Sequence, residues 1–259
     1  MAVYALNHVQ VLLLVLLRVM MFIITSPLFS MRLYPNWTKV GFAGVVALLV
    51  IPSMSVTTVP SALLDTGEYI LVAVREMATG LLLGWVASVI YATVNVAGRI
   101  LDLEIGYSAV SLLAPGTNDQ ESVMGSFQGA LFALYFLGMN GLDGLVLAVL
   151  NSYKLIPLGY FHMPGTTIQF LMYMFNVLFT MAVEVVIPFL CVLLFTDVTL
   201  AVISRSMPQL NVFIVGLPAK LFFGLSLFSI GMVGTTYLFG QIFQTLFSDT
   251  TMFLKWFGG

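Results

Sequence analysis

Charge is what this chain has least of. Asp, Glu, Lys and Arg make up 8% of its 259 residues, where soluble domains carry about 25%. Hydrophobic residues reach 60%, more than a water-soluble fold can hide, so most of the chain is solvated by lipid or by other apolar protein. A formal net charge of -2 is too small to imply nucleic acid or an acidic partner. Cysteine is nearly absent as well: Cys191 stands alone, so no intramolecular disulfide forms and the redox compartment stays unread. The two histidines, His8 and His162, lie near the ends of apolar segments with no metal-ligand spacing between them. The chain carries no phosphate-binding loop and no nucleophile motif. Catalysis, a metal and a cofactor are therefore not expected. No Lys or Arg precedes the first apolar run, Arg18 interrupts it, and "TSPLFSM" is a poor cleavage site. The first helix is expected to stay in the mature protein.

What the chain has is long apolar runs. A spanning helix needs about 20 mostly apolar residues, and six segments come near or above that: 9–29, 40–56, 69–96, 124–150, 168–195 and 217–247. Between them lie "RLYPNWTK", "PSALLDTGE", "APGTNDQES" and "IPLGYFHMPGTT", rich in Pro, Gly and Asn, which is turn chemistry. No alternation of strand length competes with helix, and no fixed repeat appears. The expected fold is one all-α membrane domain of about six long apolar segments. Arg32 and Lys39 share the first connector, Arg99 enters the third, and Arg205 and Lys220 bracket the fifth. A plain six-helix chain would then hold its odd-numbered connectors in the cytoplasm and both termini outside.

Several charges fall inside the apolar runs: Arg18, Arg75, Glu76 and Glu184, with Asp143 beside Asn140 and Gly141 and Asp197 just past the fifth run. A charge at the bilayer centre costs from about 2.5–3.5 kcal/mol upward, so these side chains face protein or water. Arg75 and Glu76 are adjacent, about 100° apart on a helix, so each needs a partner on another segment. Arg99 and Asp102 differ by three and can share a face. Either these groups relay ions or protons, or they bond neighbouring helices. Their scatter over separate segments favours bonding.

Small residues recur at helical spacing: Gly80 and Gly84 form a "GLLLG" step, and Gly231 and Gly234 follow Gly224. They allow close helix approach, either within the chain or against other subunits. The 15 methionines serve as flexible core filler or as a deformable seal around a passing chain.

The connector over residues 205–220, "RSMPQLNVFIVGLPAK", is the most distinctive stretch. Pro208 and Pro218 remove backbone donors and restrict the residue before each, and Gly216 permits a tight bend. Gln209 and Asn211 supply groups to satisfy exposed backbone, with Arg205 and Lys220 as charged posts. The segment reads as the corner of a helical hairpin or as a re-entrant loop lining a cavity.

"SRSMPQLNVFIVGLPAK", with its Pro-Gln-x-Asn-x-Phe-x-x-Gly-x-Pro-x-Lys pattern through Phe213, resembles a signature of the FliR family of flagellar export proteins and their injectisome relatives. Further pieces match in order: "LRVMMFIITSPLF", "PNWTKVGFA", "VREMATGLLLGWV" and "AGRILDLEIGYSAVSLLAPGTNDQESVMGSF". The resemblance covers nearly the whole chain, and its long third connector looks more flagellar than injectisome-like. It implies helical hairpins, with a FliP-like part over residues 1–200 and a FliQ-like part over 201–259. It implies partners too: FliP and FliQ in an export gate, FlhB and other export-apparatus components beside them, and unfolded flagellar proteins as substrates; it implies no enzymatic activity. The implied place is the bacterial inner membrane at the flagellar basal body, with part of the chain above the bilayer on the periplasmic side. In that assembly the misplaced charges Arg18, Arg75, Glu76, Arg99, Asp102, Glu184 and Asp197 would bond neighbouring subunits.

The same resemblance assigns a pore plug to the loop that opens "GYSAVSLLAP": Gly106, Tyr107, Ser108, Ala109, Val110, Ser111, Leu112 and Leu113. Apolar residues at a constriction block by excluding water. Without the resemblance, the loop also reads as an interfacial segment dipping into headgroups. Two rivals to the export reading remain, a small secondary transporter or ion channel using the intramembrane charges, and a membrane scaffold with no pore. A transporter of the inverted-repeat kind would show paired broken helices in its two halves, and these are not found.

Overall fold

Long runs of Leu, Val, Ile, Phe and Ala, with Gly and Pro gathered between them, leave the backbone one economical way to satisfy its polar groups in an apolar solvent, which is helix. The computed structural model of the protein describes residues 2–30, 35–53, 66–107, 122–207 and 212–258. Its elements are α1 (Ala2–Thr25), α2 (Pro27–Ser30), α3 (Asn36–Val50) with a short 3-10 turn over Ile51–Ser53, α4 (Thr66–Ile105), α5 (Val123–Gly138), α6 (Gly141–Leu155), α7 (Thr167–Ser206) and α8 (Val212–Gly258). No strand occurs among the described residues. The fold is all-α, as the composition requires.

Three helices, α4, α7 and α8, are long and apolar enough to cross a membrane, and the α5–α6 pair would make a fourth span if counted together. Six plain spans are therefore not what the described residues show. The second expected segment, 40–56, becomes a helix that ends at Val50, and its 15 residues rise about 22 Å, short of a hydrocarbon core of about 30 Å. The fourth, 124–150, is broken: Asn140 takes a left-handed conformation, φ 55°, between α5 and α6. The third overruns its expected end, since α4 continues through Arg99 and Asp102 to Ile105. At 40 residues each, α4 and α7 are about 60 Å long, twice the hydrocarbon thickness.

The chain forms two compact units: one from residues 1–91, 136–174 and 244–259, the other from 92–135 and 175–243. In the first, α1 lies directly on α4. A Cβ at Gly80 would collide with the Arg18 carbonyl, and one at Gly84 would lie 2.7 Å from the Phe22 carbonyl oxygen. The "GLLLG" step is thus an internal packing device. Ser88 seals the same contact by donating to the Thr25 carbonyl. Phe161, Phe170, Phe253 and Phe257 cluster in the same unit, with Phe253 and Phe257 tilted at 4.7 Å between centroids and Phe161 stacked on Phe257 at 5.9 Å.

In the second unit α4 and α5 meet through glycine on both sides, because a Cβ on Gly98 would strike the Gly125 backbone. Phe228 of α8 sits between Phe127 and Phe189, 5.9 Å and 5.8 Å away, and Phe132 packs edge-on against Phe239. Offset and edge-to-face pairs of this kind add to the area they bury.

Candidate functional site

The first unit carries a buried ionic knot. Arg18 and Glu76 are both fully buried. Arg18 Nε donates to Glu76 Oε2 at 2.6 Å and its Nη2 to Oε1 at 3.0 Å, the forked geometry that makes Arg–carboxylate pairs strong. Its Nη1 donates to the Ile156 carbonyl at 2.9 Å and to Ser152 Oγ at 3.2 Å. The guanidinium lies over the Tyr153 ring at 4.2 Å, and the Tyr153 hydroxyl donates to the Val15 carbonyl. Nearly every donor of the guanidinium is thus engaged.

Arg75 and Glu76 point apart, yet both reach one residue. The Gly159 N–H donates to Glu76 Oε1 at 2.8 Å, and the Gly159 carbonyl accepts from Arg75 Nη1 at 2.9 Å. Gly159 has φ 80°, a conformation glycine adopts at no steric cost, and that turn presents both backbone groups to α4. Four stretches, α1, α4, the end of α6 and the 156–166 loop, are tied at one point; Arg18 and Glu76 neutralise each other, while Arg75 is bonded to a carbonyl and keeps its charge.

The second unit holds two further polar clusters. Asp102 accepts from Ser122 Oγ at 2.5 Å and from the Met124 N–H at 3.2 Å, while Ser122 Oγ accepts from the Gly125 N–H at 2.8 Å. Ser122 is therefore the N-cap of α5, and Asp102 fixes that cap to the last turns of α4. Arg99, expected to share a face with Asp102, is exposed. Asp102 has taken the start of α5 as its partner instead. Lys220 Nζ lies 2.7 Å from Asp197 Oδ2 and 3.8 Å from Glu104 Oε2, linking α8, α7 and the end of α4. Leu217 packs against Gly106, whose φ is 85°.

Of the expected plug, Gly106 and Tyr107 are described, with Tyr107 40% exposed. Ser108, Ala109, Val110, Ser111, Leu112 and Leu113 lie outside the described residues, as do Pro208, Gln209 and Asn211 of the expected hairpin corner. Around that corner the helices run further than expected. Arg205 stands in the last turn of α7, and α8 restarts at Val212. Phe213, Gly216, Pro218 and Lys220 therefore belong to the helix and not to the connector. Gly216 is buried and helical and makes no tight bend.

Glu184 and Asp143 are exposed on their helices. Among the described residues no group of three or more His, Cys, Asp or Glu is placed to hold a metal ion. No sequence pattern marked Ser152, Tyr153, Ile156 and Gly159 as partners of the knot. Two of them act through backbone atoms, and the one visible hint was the turn chemistry of "IPLGYF".

An all-α fold with three or four apolar spans among the described residues, whose deepest charges are consumed in tying its own helices together, is that of an integral membrane protein. The sequence profile of the family described as bacterial export proteins, family 1, matches residues 9–246. The chain belongs to that family. It is 32% identical to the flagellar biosynthetic protein FliR of Bacillus subtilis over 212 residues, 81% of each chain. The Escherichia coli FliR shares 27% identity over 89% of each. The Yop proteins translocation protein T of Yersinia pestis shares 30% over 183 residues, 70% of this chain and 69% of that one.

Proposed function

We propose that this chain is a structural and gating subunit of the flagellar type III export channel. It assembles with FliP and FliQ, next to FlhB and other export components, and passes unfolded flagellar proteins across the bacterial inner membrane at the basal body. The observation that carries this reading is the continuous similarity to flagellar FliR proteins over four-fifths or more of both chains. Two structural features support it. The α7 and α8 span segments are only 33% and 17% buried within this chain, as expected of helices that finish their packing against other subunits. Helices about 60 Å long exceed the bilayer core even at ordinary tilts of about 20°, which suits a chain standing partly above the membrane on the periplasmic side.

In this reading a FliP-like part spans residues 1–200 and a FliQ-like part 201–259, with the hairpin corner between the end of α7 at Ser206 and the start of α8 at Val212. The chain itself performs no catalysis. The plug is the loop from Gly106 to Leu113, anchored at its first residue by the Gly106–Leu217 contact. A transporter would keep its mid-span charges free for a substrate, whereas the Arg18–Glu76 pair has every strong partner it needs inside the chain.

Deletion of the plug loop tests the gating role. In cells carrying the assembled complex, removing residues 106–113 is expected to make the inner membrane leaky to small solutes while the complex still co-purifies. An intact assembly that stays tight after the deletion removes the plug from the account.

A further inference from the structure

Between the last turns of α7 and the first turns of α8 lies a cavity of about 380 Å³, at the small end of the range for ligand pockets. Leu200, Ala201 and Leu217 give it apolar walls, and Asp197, Ser204 and Lys220 supply its polar groups. Lys220 Nζ donates to Asp197 Oδ2 at 2.7 Å and stands 3.8 Å from Glu104 Oε2, beyond hydrogen-bond reach. An ammonium has three donors, so Lys220 keeps donors to spare. Glu104 in turn accepts no hydrogen bond from any described residue, and its side chain is 35% exposed. A spare donor and a spare carboxylate thus meet at one opening.

The charges do not balance. Two carboxylates, Glu104 and Asp197, face the single ammonium of Lys220, leaving one negative charge over. Arg99 is exposed on α4, but five residues before Glu104 it projects about 140° away around the helix. Arg205, one residue past Ser204, stands about 100° round α7 from it. The level of the cavity is also informative. The apolar run of α7 ends at Phe195 and that of α8 begins at Leu217, so the opening falls where both helices pass from apolar to polar sequence. In a membrane that is the headgroup layer. Apolar side chains of the same turns, Phe195 and Phe222, are exposed at 75% and 69%, as suits contact with acyl chains.

We propose that this cavity binds the headgroup of an aminophospholipid, whose primary amine donates to Glu104 and Asp197 and whose phosphate accepts from Lys220. A headgroup with a phosphate but no amine meets the surplus negative charge. A quaternary ammonium has no N–H to give the carboxylates. The site needs only a chain that lies in a membrane and is independent of the export role.

The test uses the full-length chain, extracted in mild detergent with whatever subunits accompany it. Phosphatidylethanolamine, phosphatidylcholine and phosphatidylglycerol with identical acyl chains are added, and bound lipid is read by native mass measurement. The site predicts that the ethanolamine lipid is retained about fivefold or more over the other two, the weight of one charge-assisted contact. Glu104→Gln leaves the Lys220–Asp197 bond in place and is expected to erase that preference. Ala201→Trp fills the cavity without touching a charge and is expected to abolish retention. Both should keep the unfolding midpoint; should one unfold early, the other decides. Equal retention of the three lipids overturns the site, as does a preference that survives both variants. Water-soluble glycerophosphoethanolamine binding as tightly as the lipid would overturn the lipid source.

Discussion

Arg18 and Glu76 neutralise each other in the interior of the first unit, and the value of that pair depends on both being present. A buried ion pair is often no more stable than apolar residues of the same volume, but breaking one side leaves an uncompensated buried charge that costs about 3–5 kcal/mol. Glu76→Leu is therefore expected to destabilise the detergent-solubilised chain severely, and Arg18→Met to do the same. The Arg18→Met/Glu76→Leu double variant should recover a large share of the loss. Thermal unfolding of the three variants checks this, and losses that simply add would contradict a coupled pair. Gly159 makes a second case. Its φ of 80° would cost an L side chain about 1–2 kcal/mol, so Gly159→Ala should lower stability by that amount. An unchanged unfolding midpoint would show that the turn is not needed to hold Arg75 and Glu76. The sequence made the charges legible as misplaced and showed that Arg75 and Glu76 could not serve each other. Their partner was beyond it, because the answer lies in the N–H and carbonyl of a loop residue 83 positions away.

Glycine decides where the helices touch. Gly98 and Gly125 bring α4 and α5 together backbone to backbone, and Gly80 does the same for α4 and α1, whereas Gly41 of α3 has open space where a Cβ would stand. Overpacking a tight contact costs about 1–3 kcal/mol, while an unobstructed Gly→Ala change inside a helix gains up to about 1 kcal/mol. Gly98→Ala is thus expected to destabilise and Gly41→Ala to stabilise slightly, read by the same unfolding assay. Equal effects from the two would remove the close-packing argument. The helical class and the long spans were readable from unbroken apolar runs. The break at Asn140 was not, since Gly138, Met139, Asn140 and Gly141 sit inside an apolar run whose length alone suggested continuity. The connector near residue 208 was readable, but its length was overestimated: Gly216 and Pro218 look like turn residues in sequence and are absorbed into the first turns of α8.

On the scale of the whole molecule, the buried polar groups are mostly satisfied within the chain, while the outer faces of α7 and α8 are not covered by it. Residues such as Phe195, Phe222, Ile230 and Val233, exposed at 75%, 69%, 79% and 81%, must meet lipid or other subunits. Membership in the bacterial export proteins, together with these exposed apolar side chains, argues for subunits along at least one face. The central claim is therefore one of assembly. It is tested most directly by expressing the tagged chain from one operon with FliP and FliQ, purifying it in mild detergent and measuring the native mass. The account predicts a discrete hetero-complex containing one copy of this chain. A monomer or homodimer that is stable and well folded without either partner would contradict it.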